Sequence, residues 1–183
     1  MNNLPLAVLL AALVAADASW AEVTDSAAGG FTVVNEVVIS GSRADVWKAS
    51  ADQVGQWWSS DHTVSGDATR LSISSRPNGC FCENFASGGG VVHMTVTMVN
   101  PGVVIRFTGG LGPLGLMGVN GNMTWEYQQT DSGTRVKFTY VVGGYSADGL
   151  DTIAAPVDLV IAEALQRLKA HVETGDVNSA AID

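Results

Sequence analysis

Both cysteines of the chain sit one residue apart in PNGCFCE, at Cys80 and Cys82. A Cys-x-Cys pair can form a disulfide, hold a metal, cycle between thiol and disulfide, or pack as two small soft side chains. In an extended strand, residues i and i+2 lie about 6.6 Å apart, whereas disulfide Cα separations peak near about 5.5–6 Å. A bridge here would be strained and readily reduced unless a bulge shortens the gap. Asn78-Gly79 is a strong two-residue hairpin signal. A turn there sets Pro77 opposite Cys80, Arg76 opposite Phe81 and Ile73 opposite Asn84. Cys80 and Cys82 then share an inner face with Leu71 and Ile73, while Phe81, Glu83 and Phe85 face outward. In GGGVVHMTVTMVNPG, Val92, Met94, Val96 and Met98 form the apolar side, and His93 falls on the outer face near Glu83. His93 and the cysteines on opposite faces cannot close a metal site, and none is expected. The pattern favours two thiols packed beside an internal space, with a labile disulfide as the rival.

A nucleophile, a base and an orienting acid are equally hard to assemble. The three histidines, His62, His93 and His171, are all expected on outer surfaces. Tyr127, Tyr140, Asp158 and the cysteines are the polar groups nearest the expected interior. They could orient a ligand but do not define a reaction, so no catalytic residue and no cofactor is assigned. The stretch GGLGPLGLMG is glycine-rich but lacks the Lys-Ser/Thr of a phosphate loop and does not lead into a helix. It reads as an apolar flap.

These residues need a scaffold, and the chain has 183 residues, enough for one domain with a substantial core. A formal charge of −9 excludes nucleic acid as an expected partner, since phosphate binding needs clustered Lys and Arg. Residues 4–16, LPLAVLLAALVAA, form an apolar run too short to span a bilayer but suited to the centre of a secretory signal. Cleavage after Ala18 or Ala21 suits the small residues of ADASWAEV. The expected organisation is a signal peptide (1–21), a linker (22–30), a ligand-binding domain (31–174) and a tail (175–183). No membrane span is expected once the signal is removed. A periplasmic or secreted location would let paired cysteines stay oxidised. The oligomeric state is not legible.

FTVVNEVVIS predicts a strand, and SRADVWKASAD a helix capped by Ser42, with Asp45 in its first turn. A second short helix is predicted in QVGQWWSS. Six more strands follow with short connections, which makes an antiparallel sheet of about seven strands. Ile153, Val157, Val160, Ile161, Ala164, Leu165, Leu168 and Val172 form one stripe of a long final helix. Pro156 predicts a start near Ala155 or a bend there, and Gly175 can end the helix.

This order of elements resembles the START-like, helix-grip superfamily, also called SRPBCC, which includes polyketide cyclases, lipid-transfer proteins and the birch-pollen allergen type. The likeness is closer to the branch named after activators of the heat-shock chaperone ATPase. It rests on ISGSRADVWKASAD…QWW, on RPNGCFCE with GGGVVHMTVTMVNPGVVIRFTG, and on GTRVKFTY, within residues 31–173. The resemblance implies an α+β helix-grip fold, a curved sheet wrapped around the long C-terminal helix with a cavity between them. Where the common pattern has Gly-Arg, this chain has Gly79-Cys80, so no family catalytic residue carries over. The expected lining is Trp57, Trp58, Cys80, Cys82, Met94, Met98, Phe107, Leu114, Met117, Met123, Trp125, Tyr127, Phe138, Tyr140, Asp158 and Ile161. The expected ligand is a small apolar or amphipathic molecule. The alternatives are a cyclase-like enzyme acting on a small hydrophobic substrate, or a protein-interaction module that uses exposed Phe81 and Phe85.

Overall fold

The computed structural model describes residues 20–179. Most of the expected signal peptide, and the last four residues of the expected tail, lie outside that range. The expected linker is instead a strand: β1 (Trp20–Ala27) pairs with β2 (Gly30–Ile39) through a tight turn at Ala28-Gly29. Its polar residues gave no strand signal because β1 is an edge strand, mostly exposed, and needs only one ladder of backbone bonds.

After β2 come α1 (Arg43–Asp52) and α2 (Val54–Trp57). Ser42 caps α1 as expected, its Oγ accepting the Asp45 N–H at 3.2 Å. The remaining strands are β3 (Leu71–Ile73), β4 (Cys80–Asn84), β5 (Gly90–Asn100), β6 (Val104–Thr108), β7 (Gly118–Thr130) and β8 (Gly133–Tyr145). They form one eight-stranded antiparallel sheet in the order β1-β2-β8-β7-β6-β5-β4-β3. The chain closes with α3 (Asp151–Thr174), which packs chiefly on β2 and β1. The helix begins earlier than Pro156 led us to expect, so that proline sits inside it and removes one backbone bond. Gly175 ends it in the left-handed region, at φ 74°.

Strict alternation on β2 buries Phe31, Val33, Asn35, Val37 and Ile39. On β8 it buries Thr134, Val136, Phe138, Tyr140 and Val142. The apolar side chains among them meet Ile161, Leu165 and Leu168 of α3 in a single cluster. Two bulges on β5 break the alternation there. Phe81 pairs with Met94 but Cys82 pairs with Val92, leaving His93 as the extra residue. A second irregularity lies between Val96 and Met98. Bulges of this kind re-aim side chains. His93 and Met94 are therefore both buried, whereas Val92 and Met98 are exposed.

The β3–β4 hairpin also departs from expectation. Ile73 pairs with Phe81, not Asn84, because the connection is longer than a two-residue Asn-Gly turn. Asn78 does adopt φ 61°, but its N–H bonds to the Val96 carbonyl across on β5, and Gly79 N–H bonds to Arg76. The shift is an odd number of residues, which exchanges the two faces of β4. Phe81 and Glu83 point inward; Cys80 and Cys82 point outward, opposite exposed Ser72 and Val92.

Candidate functional site

Most of the expected lining lies together. Trp57, Trp58, Met94, Phe107, Leu114, Met123, Trp125, Tyr127, Phe138, Tyr140 and Ile161 are all buried members of the cluster between sheet and helices. Met117 is half-buried against it at the end of the glycine-rich loop. Three assignments are corrected. Cys80 and Cys82 belong to the outer face through the hairpin shift, and Met98 is 42% exposed through the second β5 bulge. The aromatic centre is Trp125, stacked on Phe138 at 4.3 Å and met edgewise or tilted by Phe107, Trp57 and Phe81.

Two tyrosines expected to face a ligand are already engaged. The Tyr140 hydroxyl donates to the Gly109 carbonyl at 3.1 Å and accepts the Leu111 N–H at 3.0 Å. It thereby clamps the entrance of the glycine-rich loop, and burial pushes its pKa up to about 12. Gly121 makes room for the ring: a Cβ there would collide with Tyr140. The Tyr127 hydroxyl lies 2.7 Å from Ser50 Oγ, fully buried, and burial raises its pKa further still. Both phenols stay protonated near neutral pH, and each hydroxyl is held by a protein partner.

The groups with unused hydrogen-bonding capacity are others. Asn35 is an amide on the inner row of β2, and its Nδ2 donates to Asp158 Oδ1 of α3 at 2.8 Å. Its Oδ1 is buried without a hydrogen-bond partner among the described residues, and so is Trp125 Nε1. The register sets Asn35 opposite Phe138 and Phe138 opposite Trp125, so both unpartnered atoms belong to one row across the inner face. Burial raises the Asp158 pKa; the Asn35 bond opposes that rise and the nearby Glu22 charge adds to it. Buried polar atoms in folded proteins are nearly always satisfied, so an acceptor and a donor left open in one row invite an occupant. Asn35 was legible in FTVVNEVVI, as the polar residue in the buried i, i+2 series, but was not singled out.

A second buried polar group lies near the other edge of the sheet. Glu83 has no solvent exposure, yet its carboxylate accepts the backbone N–H of Val64 at 3.0 Å and that of Ser65, and lies 3.0 Å from His93 Nε2. Burial alone would push its pKa up, but the bonds from Ser65, Val64 and His93 outweigh it and hold it down at about 2. The expected neighbourhood of His93 and Glu83 exists, but inside the protein, because the bulge turns His93 inward. The pair ties the segment after α2 to the sheet. His62, in that segment, meets Glu163 of α3 at 2.9 Å. Arg167 of α3 also donates to the Trp57 carbonyl at 2.9 Å.

A surface groove of about 270 Å³ lies between α1 and the end of α3, lined by Asp45, Lys48, Ala49, Gln53, His171 and Val172. None of the expected lining residues belongs to it. Among the described residues no group of three or more His, Cys, Asp or Glu could hold a metal ion, and no helix is long and apolar enough to cross a membrane.

A curved antiparallel sheet packed around one long C-terminal helix, with apolar and aromatic side chains between them, defines a START-like, SRPBCC protein. Residues 30–173 match the family described as polyketide cyclase/dehydrase and lipid transport, and the chain belongs to that family. No curated protein sequence matches the chain. Solved structures share the fold at low identity. A conserved protein of unknown function from Enterococcus faecalis superposes with a TM-score of 0.61 at 16% identity, over 90% of this chain and 82% of its own. The Aha1 dimer from Colwellia psychrerythraea gives 0.56 at 18%, over 79% and 98%. A Rhizobium loti protein gives 0.56 at 23%, over 76% and 94%.

Proposed function

We propose that this protein binds a small amphipathic molecule between the sheet and α3. The observation that carries the reading is the row of Asn35, Phe138 and Trp125, where a buried acceptor and a buried donor flank a stacked ring pair beside Asp158. An apolar body would gain about 25 cal/mol for each Å² removed from water. A polar end that donates to Asn35 Oδ1, or accepts from Trp125 Nε1, would satisfy atoms the protein leaves open. The family description, with its lipid transport and polyketide chemistry, supports the same ligand class. The test is native mass spectrometry of protein purified from its own host. A retained mass that leaves on denaturation is expected; a bare chain under conditions gentle enough to hold ligands would oppose the reading.

Binding without catalysis fits the side chains better than a cyclase-like reaction, since both interior tyrosine hydroxyls are engaged with the protein. The interaction-module alternative needed Phe81 on the surface, and Phe81 is buried. Export to the periplasm or beyond is part of the proposal, supported by the apolar run at 4–16, the small residues of ASWAEV and the suitability of an oxidising compartment for paired cysteines. N-terminal sequencing of the protein from its host should begin at Ser19 or Glu22. An intact Met1 on cytosolic protein would contradict export.

A further inference from the structure

Cys80 and Cys82 are joined by a disulfide, with a Cα separation of 5.3 Å. That is shorter than the about 6.6 Å of an extended i, i+2 pair, so β4 is contracted where it faces the first β5 bulge. The bridge closes a loop of only three residues. A loop so short removes little conformational freedom from the unfolded chain, which is the usual reason for a structural disulfide. Both cysteines are partly exposed on the outer face.

What the bridge holds is the residue between its ends. Phe81 lies inside the three-residue loop, and its ring is packed against Trp58 at 5.4 Å, His93 at 5.8 Å, Phe107 at 6.3 Å and Trp125 at 6.4 Å. The residue after the bridge is Glu83, the buried partner of His93. His93 is itself the extra residue of the bulge opposite Phe81 and Cys82. An outer-face disulfide, an aromatic hub and the buried Glu83–His93 hydrogen bond thus share a few residues of backbone.

We propose that Cys80–Cys82 is a thiol-exchange site for dithiols, and that its redox state sets the positions of Phe81 and of the Glu83–His93 pair. In the exchange, a thiolate of the external dithiol attacks one cysteine sulfur and the Cys80–Cys82 S–S bond breaks. The other cysteine leaves as a thiolate and takes up a proton. The second sulfur of the dithiol then displaces the first cysteine from the mixed disulfide. The protein pair ends as two thiols, reduced by two electrons, and the dithiol ends as a disulfide. Freed of the bridge, β4 can extend toward ordinary strand spacing. The bulge that turns His93 inward then loses the contraction it faces. This inference is independent of the ligand reading.

The test compares oxidised and reduced protein by imidazole NMR, which is tractable because the chain has three histidines. His62→Asn and His171→Asn supply the assignments, and thiols are counted by mass after alkylation. Dithiothreitol without denaturant should expose both cysteines to alkylation. It should also shift the His93 resonances and the tryptophan fluorescence, and reoxidation should restore both. The double variant Cys80→Ser, Cys82→Ser should fold and show the reduced spectrum with or without dithiothreitol. Cysteines that resist alkylation until the protein is unfolded would overturn the exchange site. Reduction with unmoved His93 resonances would overturn the coupling. A double variant that fails to fold, or keeps the oxidised spectrum, would make the bridge a structural staple or an inert bystander, and overturn the proposal.

Discussion

Glu83→Ala should destabilise the fold by about 3–5 kcal/mol, the range for breaking a buried charge-assisted network on one side. The substitution leaves the Val64 and Ser65 N–H groups and His93 Nε2 without their acceptor in a site closed to water. Glu83→Gln keeps the shape and one acceptor oxygen, and should cost less, about 1–3 kcal/mol. The wild type should show the same dependence on acid. The Glu83 pKa falls from the ordinary 4.5 to about 2 in the folded protein. The carboxylate's contribution is therefore complete above about pH 5, and is lost as pH falls through the window down to about 2. A shift of that size corresponds to about 3 kcal/mol. At pH 3 about 2 kcal/mol of that is already lost, so urea unfolding at pH 7 and pH 3 should differ by about that much in wild type and by much less in Glu83→Gln. Equal acid sensitivity in the two proteins would place the effect elsewhere.

Trp125→Ala should cost about 3–5 kcal/mol, as expected for removing a large ring from a packed core. Its indole has no solvent exposure and touches the rings of Trp57, Phe81, Phe107 and Phe138. The variant should also take up apolar fluorescent probes that wild type does not, since the vacated volume lies on the proposed binding face. Trp125→Phe separates packing from hydrogen bonding. It retains a ring against Phe138 but removes the unpartnered Nε1–H, and should weaken a ligand that accepts from that N–H by about 1 kcal/mol or more. Large destabilisation of the alanine variant, with probe and ligand binding unchanged in both, would make Trp125 core alone.

The order of strands and helices was legible because the strongest signals in the sequence are periodic, and the resemblance that this order bears to the START-like superfamily supplied the helix-grip architecture. The stripe from Ile153 to Val172, the strand at FTVVNEVVIS and the Ser42 cap all reappear in the structure. β1 was missed because an exposed edge strand needs no apolar pattern. The largest error came from one turn. Reading Asn78-Gly79 as a two-residue loop reversed the faces of β4, sending Phe81 and Glu83 outward and the cysteines inward. The β5 bulges leave no mark in an alternating sequence, so His93 and Met98 were each placed on the wrong side. The candidate site was legible in its apolar members and in Asp158, but not in Asn35. Hydrophobic alternation reports burial, but it cannot show that Tyr127 and Tyr140 have partners or that Asn35 and Trp125 keep an atom without one.

Native mass spectrometry of the protein isolated from its host tests the central claim most directly. Wild type should carry a small molecule at a defined mass, released on denaturation and identifiable as an apolar body with at least one hydrogen-bonding group. Asn35→Leu, which removes the open acceptor and keeps an apolar side chain of similar size, should carry less of it while remaining folded. Wild-type protein that flies as the bare chain, and stays bare after incubation with the host's lipid extract, would contradict the claim.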